Sequence, residues 1–197
     1  MSWRIRLATS KDAPAIAEIY APIVLSTPIS FETEPPDAQE FERRIARVLT
    51  AHPWLVCEHE GNVTGYAYAS RHHERAAYQW SVDTSVYIHS DFRRRGLGQA
   101  LYTSLFSILV GQGFYNAYAG ITLPNPGSVG LHESVGFKRL CIYRNVGYKL
   151  GSWYDVGWWE LALQPLKSNP GVPRMLNEVQ SDDSWHDRLA SGLRRIH

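Results

Sequence analysis

Arg93-Arg94-Arg95-Gly96-Leu97-Gly98 stands between an apolar, β-branched stretch from Gln79 to His89 and a helical pattern that runs to Gly111. Leu101, Leu105, Ile108 and Leu109 fall on one face of that pattern. A strand, a basic glycine turn and a helix in this order leave unpaired backbone N–H groups at the helix start. Gly96 and Gly98 let the backbone come close to whatever sits there. Such a concave run of donors suits a pyrophosphate, with three arginines at its mouth for further phosphates. A solvated basic turn that only caps the helix is the competing reading. The stretch lacks the Gly-Lys-Ser/Thr of a triphosphate loop, and its glycine spacing is not that of the dinucleotide fingerprint.

Upstream, Trp3 to Ala8 alternates as a half-buried strand does. Thr9 or Ser10 can cap a helix carrying Ile16, Ile19, Tyr20 and Ile23, which the loop Thr27 to Pro36 ends. Asp37 caps a second helix with Phe41, Ile45, Val48 and Leu49 inward. Trp54 to Glu58 and Val63 to Ser70, joined through Gly61-Asn62, read as a hairpin, and a polar loop follows from Arg71 to Ala77. Downstream, Ala117 to Leu123 reads as a strand, Ser128 to Val135 as a short helix, Gly136-Phe137 as the opening of a strand towards Val146, and Val156 to Leu163 as the last strand. The order β-α-α-β-β-β-α-β-α-β-β predicts an α/β domain on a mixed sheet over residues 1–165. Residues 166–197 turn to Ser, Asn, Pro and Gly and read as a tail, in which Asp183 can cap a short amphipathic helix bearing Trp185, Leu189 and Ile196.

The 197 residues, 44% of them hydrophobic, suffice for one core and not for two ordinary domains. With 20 Lys and Arg against 19 Asp and Glu the formal charge is +1, which argues against a nucleic-acid-binding or membrane-binding coat and for a local anion site. The two cysteines, Cys57 and Cys141, lie in apolar runs and read as core thiols, with one disulfide between them as the alternative. Neither they nor His72-His73, which reads as loop surface, has metal-ligand spacing, so no metal is expected. Met1-Ser2-Trp3-Arg4 opens no signal-peptide pattern, and a cytoplasmic location is expected.

Four stretches bear a family likeness: Ser30-Phe31-Glu32-Thr33-Glu34-Pro35; Ala77 to Tyr87; Leu123-Pro124-Asn125 with Leu131-His132-Glu133; and Gly147 to Val156. With Arg-x-x-Gly-x-Gly they make the chain resemble the phosphinothricin N-acetyltransferase family of the GNAT superfamily over about residues 3–163. The resemblance implies a single GNAT-like domain, α/β, with a twisted, mixed, mostly antiparallel sheet and helices on both faces. Acetyl-CoA, as co-substrate, is implied in the splay between the two central strands. The implied reaction is transfer of acetyl to the amine of a small amino-acid-like molecule such as phosphinothricin, methionine sulfoximine or methionine sulfone. A homodimer is implied too.

By the same resemblance, Val86, Tyr87 and Ile88 offer backbone groups to pantetheine, and Arg93, Arg94, Arg95, Gly96, Leu97, Gly98 and Gln99 hold the phosphates. Asn125 and Ser128 steady the pantetheine arm. Phe31, Arg75, Tyr78, Asp83, Thr84, Ser85, Tyr87 and Lys149 are implied around the amine substrate. Asp83 stands where the family usually carries a Glu that serves as the base, and His132 where a thiolate proton donor is expected. The chemistry needs both: an ammonium must lose a proton before it attacks, and a departing thiolate gains from a donor. The shorter Asp83 acts through a bridging water or only binds the ammonium; alternatively it is a strand carboxylate paired with a neighbour. Acetylation of a protein or peptide amine, and a non-catalytic acyl-CoA-binding module, remain the rival readings.

Overall fold

The computed structural model describes residues 3–197. Seven strands form one sheet: β1 (Trp3–Leu7), β2 (Trp54–His59), β3 (Asn62–Arg71), β4 (Ser81–Ile88), β5 (Asn116–Leu123), β6 (Lys138–Lys149) and β7 (Ser152–Ala162). Their spatial order is β1-β2-β3-β4-β5-β7-β6. Every pairing is antiparallel except β4 with β5, which are parallel and paired only from Ser81–Asn116 to Asp83–Tyr118. Beyond that point β4 stays with β3 as far as Ile88–Gly65, while β5 stays with β7 as far as Leu123–Asp155. The sheet therefore opens into a V at its centre, and the single mixed-sheet GNAT-like domain expected from the sequence is found.

Helices cover both faces. On one, α1 (Ala13–Ser26) and α2 (Ala38–Leu49) bury Ile16, Ile19, Phe41 and Ile45 against Trp54, Val56 and Tyr66. Asp37 caps α2 as expected, its carboxylate accepting from the Glu40 N–H at 2.7 Å. On the other face α3 (Leu97–Gln112) presents Leu97, Leu101, Leu105 and Ile108 to Leu55, Ala67, Val82 and Ala117, all nearly inaccessible. The short α4 (Pro126–Ser134) follows β5.

Two details differ from the sequence expectation. A single 3₁₀ turn, Ser10–Asp12, precedes α1, because the Asp12 carboxylate folds back onto the Thr9 N–H and hydroxyl. Cys57 is buried as expected, but Cys141 is exposed: β6 lies at the sheet edge, where apolar spacing does not imply cover.

The segment beyond β7 packs on α3. It contains α5 (Leu176–Gln180), which the composition did not announce, and α6 (Trp185–Ala190), which begins after Ser184 and not Asp183. Leu176, Val179 and Trp185 join the core beneath α3. The contact then runs towards the start of α3. Arg188 donates to the Ser107 carbonyl at 2.6 Å, and the Ser104 hydroxyl donates to the Leu189 carbonyl at 2.7 Å. At Gly192 a Cβ would strike the Ala100 carbonyl, so only glycine allows the approach. Finally, the His197 N–H donates to the Arg95 carbonyl at 3.2 Å. No helix among the described residues is long and apolar enough to cross a membrane.

Candidate active site

Two adjoining cavities occupy the V. The larger, about 580 Å³, runs from the inner edge of β4 to the start of α3 and α4; the smaller, about 60 Å³, lies deeper between β4 and β5. They share Ile29, Val86, Tyr87, Asn125 and Ser128. Of the residues expected to hold the co-substrate, Val86, Tyr87, Ile88, Arg93, Arg94, Gly96, Leu97, Gly98, Gln99, Asn125 and Ser128 all line the larger cavity. Arg95 does not: its guanidinium lies over the Phe92 ring, 5.3 Å from the centroid.

The basic turn adopts the geometry that its composition suggests. Arg94 and Gly96 are both left-handed, at φ 60° and 80°. Arg94 holds this costly conformation in a turn whose N–H groups lead into the first, carbonyl-free turn of α3. Alternating handedness of this kind gathers N–H groups towards one point. Behind the turn, the Arg195 carbonyl occupies the place a Gly96 side chain would take. A Cβ on Gly98 would come within 2.6 Å of Leu131 on α4. These residues fit a diphosphate-bearing co-substrate: donors converge, two arginines flank them, and the glycines leave room.

The smaller cavity is bordered by Thr84, Ser85, Tyr102, Gly120, Thr122 and His132. His132 is buried, and Nδ1 lies 2.7 Å from the Ser128 carbonyl. A carbonyl only accepts, so Nδ1 carries the hydrogen. Burial lowers the imidazole's affinity for a second proton, which leaves Nε2 as the acceptor for the Tyr102 hydroxyl at 2.9 Å. His132 is thus a neutral ring whose own N–H is already engaged, and the mobile proton at this point is the one on Tyr102. Tyr102 was missed in the sequence because its helical spacing reads as core, and its ring is indeed fully buried.

Asp83 lies on the strand face shared by Ser85 and Tyr87. Burial raises its carboxyl above the ordinary carboxylate range, opposed by the imidazole of His72, whose Nδ1 is 2.7 Å from Oδ1. His72 is therefore not the loop-surface residue its sequence context suggests. The β3–β4 register sets Ser70 opposite Asp83 and brings the chain just past Arg71 back over β4. The His72 ring stacks on Tyr118, with centroids 4.4 Å apart.

The other expected substrate contacts divide. Thr84 and Ser85 border the small cavity and Tyr87 both cavities. Phe31 lies across Gly147, where any side chain would collide with its ring. Lys149, expected around the amine substrate, is a buried strand residue that donates to the Ser30 carbonyl at 2.6 Å. Burial pulls its ammonium below the usual lysine range. Ser30 also meets the Tyr20 hydroxyl at 2.7 Å, and Glu32 is gripped by Arg44 at 2.8 Å, so the loop carrying Phe31 is fastened on three sides. Arg75 and Tyr78 are exposed and border neither cavity; Tyr78 stacks on His73.

Comparison with known proteins agrees with this geometry. Residues 5–158 match the acetyltransferase (GNAT) domain model. A phosphinothricin N-acetyltransferase of Streptomyces viridochromogenes is 42% identical over 175 residues, covering 89% of this chain and 93% of that one. An L-methionine sulfoximine/L-methionine sulfone acetyltransferase of Salmonella typhimurium is 34% identical, covering 81% and 94%. The crystal structure of a phosphinothricin acetyltransferase from Sinorhizobium meliloti in complex with acetyl-CoA superposes with a TM-score of 0.81 at 30% identity, covering 89% of this chain and 99% of that one. The chain is a GNAT N-acetyltransferase and belongs to the phosphinothricin N-acetyltransferase family.

Proposed function

We propose that the protein transfers acetyl from acetyl-CoA to the primary amine of a small amino acid carrying a second anionic or strongly polar group, of the phosphinothricin or methionine sulfoximine kind. The observation that carries this reading is the V between β4 and β5. It has a diphosphate-suited turn beyond its open end, after β4, and the carboxylate of Asp83 where β4 and β5 close, one strand repeat before the small cavity. Acetyl-CoA supplies the activated carbonyl and a thiolate leaving group. Val86 to Ile88 offer backbone groups to the pantetheine arm, with Asn125 and Ser128 opposite. Arg93, Arg94 and the N–H groups of Gly96 to Gln99 hold the phosphates.

Asp83 supplies the negative charge that draws the ammonium in and promotes its deprotonation, after which the amine attacks the thioester directly. The Tyr102 hydroxyl, turning its one hydrogen from His132 Nε2 to the departing sulfur, supplies the leaving group's proton. The fastened loop around Phe31 narrows the approach and favours a small substrate over a peptide. We assign catalysis to residues 1–165, with 166–197 as a brace, and place the protein in the cytoplasm, consistent with two free thiols.

The β6–β7 hairpin exposes Leu140, Tyr143, Val146, Tyr148, Leu150 and Trp153. We assign this face to a second copy of the chain; sedimentation as a monomer at micromolar concentration would rule that out.

The deciding experiment measures CoA thiol release with phosphinothricin, methionine sulfoximine, methionine sulfone, methionine and a lysine peptide. Release with the first group and not the peptide is expected. Release with the peptide alone would overturn the small-substrate reading, and acetyl-CoA binding without release for any amine would make the protein a binding module.

A further inference from the structure

The geometry points to His72 as the proton acceptor for the substrate ammonium, with Asp83 as the residue that orients and charges it. This rests on the acetyl-transfer reading above and concerns which atom takes the proton. Asp83 Oδ1 and His72 Nδ1 are 2.7 Å apart. A carboxylate accepts, so the shared hydrogen belongs to Nδ1 and the lone pair of the neutral ring is on Nε2, which meets no partner among the described residues.

The ring is held flat: it stacks on Tyr118 at 4.4 Å and meets Trp158 edge-on at 6.5 Å. A quarter of the side chain remains accessible. Asp83 and Tyr118 lie directly across from each other on β4 and β5, one strand repeat before Ser85 and Gly120, which border the small cavity. Two residues along a strand is about 6.6 Å, so the Asp83–His72 pair lines neither cavity and stands one strand repeat from the small one.

The titratable groups facing His72 are Asp83 from β4, Tyr118 from β5 and Tyr78 from the turn before β4, with Glu160 of β7 beyond Tyr118. Asp83 is the charged group in direct contact. Glu32, the carboxylate of the lid loop, is already taken by Arg44 and Tyr20.

Acid–base matching favours the ring over the carboxylate. An α-amino group holds its proton to about pH 8, an ordinary imidazole to about 6.5 and an ordinary carboxylate only to about 4. In the step, Nε2 takes one proton from the ammonium, and the freed electron pair makes the C–N bond to the acetyl carbon. The C–S bond breaks with its pair on sulfur. The sulfur takes the Tyr102 hydroxyl proton, turned from His132 Nε2, and a second nitrogen proton restores the hydroxyl. The imidazolium, neutralised by Asp83, returns its proton to solvent at its exposed edge.

The test uses His72→Phe, which keeps an aromatic ring over Tyr118, together with Asp83→Asn and the double variant. Expected for His72→Phe is a loss of about 10²-fold or more in kcat/KM at pH 7. Much of that loss should be recovered towards pH 9 as the amine loses its proton unaided, with acetyl-CoA affinity by calorimetry unchanged. The double variant should be no slower than the poorer single one, since the pair acts as a unit. A His72→Phe enzyme with wild-type kcat/KM and pH profile overturns the assignment, while wild-type turnover leaves the acetyl-transfer reading intact.

A second readout needs no turnover. Nitrogen NMR of the intact protein should find the hydrogen shared with Asp83 on His72 Nδ1, and Asp83→Asn should shift the Nδ1 signal. A hydrogen on Nε2, or an Nδ1 signal indifferent to Asp83, overturns the assignment whatever amine is accepted.

Discussion

Replacing Tyr102 by Phe removes one hydroxyl and nothing else of consequence to packing. The ring keeps its stacking on Phe106, 5.0 Å between centroids, and its contact with Phe137 at 6.0 Å. What disappears is the donor to His132 Nε2 at 2.9 Å, in a place with no measurable exposure at Tyr102. A buried acceptor left without a partner costs about 1–3 kcal/mol. In a chain of this size each kcal/mol moves Tm by about 2–4 °C. When the thiolate departs, that one hydrogen turns from His132 Nε2 to the sulfur, so turnover should fall by about 10²–10³. The assay pairs thermal unfolding with CoA release for Tyr102→Phe, His132→Phe and the double variant. If the two residues form one proton-delivery unit, the double variant loses little more rate than either single one. Tyr102→Phe with parental turnover would refute the delivery role, and an unchanged Tm as well would refute the buried bond.

The phosphate turn makes a separable prediction: Gly98→Leu, which drives a side chain into Leu131, and Arg94→Ala should each weaken acetyl-CoA binding at least tenfold by calorimetry, whereas Arg95→Ala should change it little. Equal losses for Arg94→Ala and Arg95→Ala would show that Arg95 leaves Phe92 to reach the ligand. Burial, with some help from the charge of Arg71, holds His52 down to about 4. His52 is neutral in the fold, so below pH 6.5 the unfolded chain binds the extra proton: the stability is fully present above that pH and is lost as pH falls towards 4. The drop amounts to roughly 3 kcal/mol. Urea titrations at pH 7 and pH 4 should show it, and His52→Phe, stacked on Phe114 in the same way, should lack that share of the pH dependence.

What could be read from the sequence was local. The turn at Arg93 to Gly98 announces itself because its chemistry is carried by neighbours: glycines, arginines and a helix start within six residues. The amphipathic stripes of α2 and α3 are legible for the same reason. The pairs that define the site's protons are not. His72 meets Asp83 only because β3 and β4 pair in a particular register, and before that register is known a His-His in a polar loop reads as surface. Tyr102 meets His132 across 30 positions and Lys149 meets Ser30 across 119. In each case an ordinary helix aromatic or strand lysine gains a role from a partner that no spacing rule indicates. Cys141 fails in the opposite sense: an apolar neighbourhood implies burial only if the sheet continues beyond it, and β6 is the edge.

The brace along α3 has a bearing on the order in which the protein becomes competent. Gly96 and the Arg195 carbonyl behind it are separated by 99 positions of chain, so a ribosome finishes the basic turn long before it makes the 3₁₀ turn that backs it. A nascent chain released as far as β7 has the strands of the V and the turn, but not His197, which lines the larger cavity. The wall behind Gly96 forms only when Gly192 slots against Ala100 and His197 reaches Arg95. The last segment to join the fold thus reaches the rim of the larger cavity, which His197 lines.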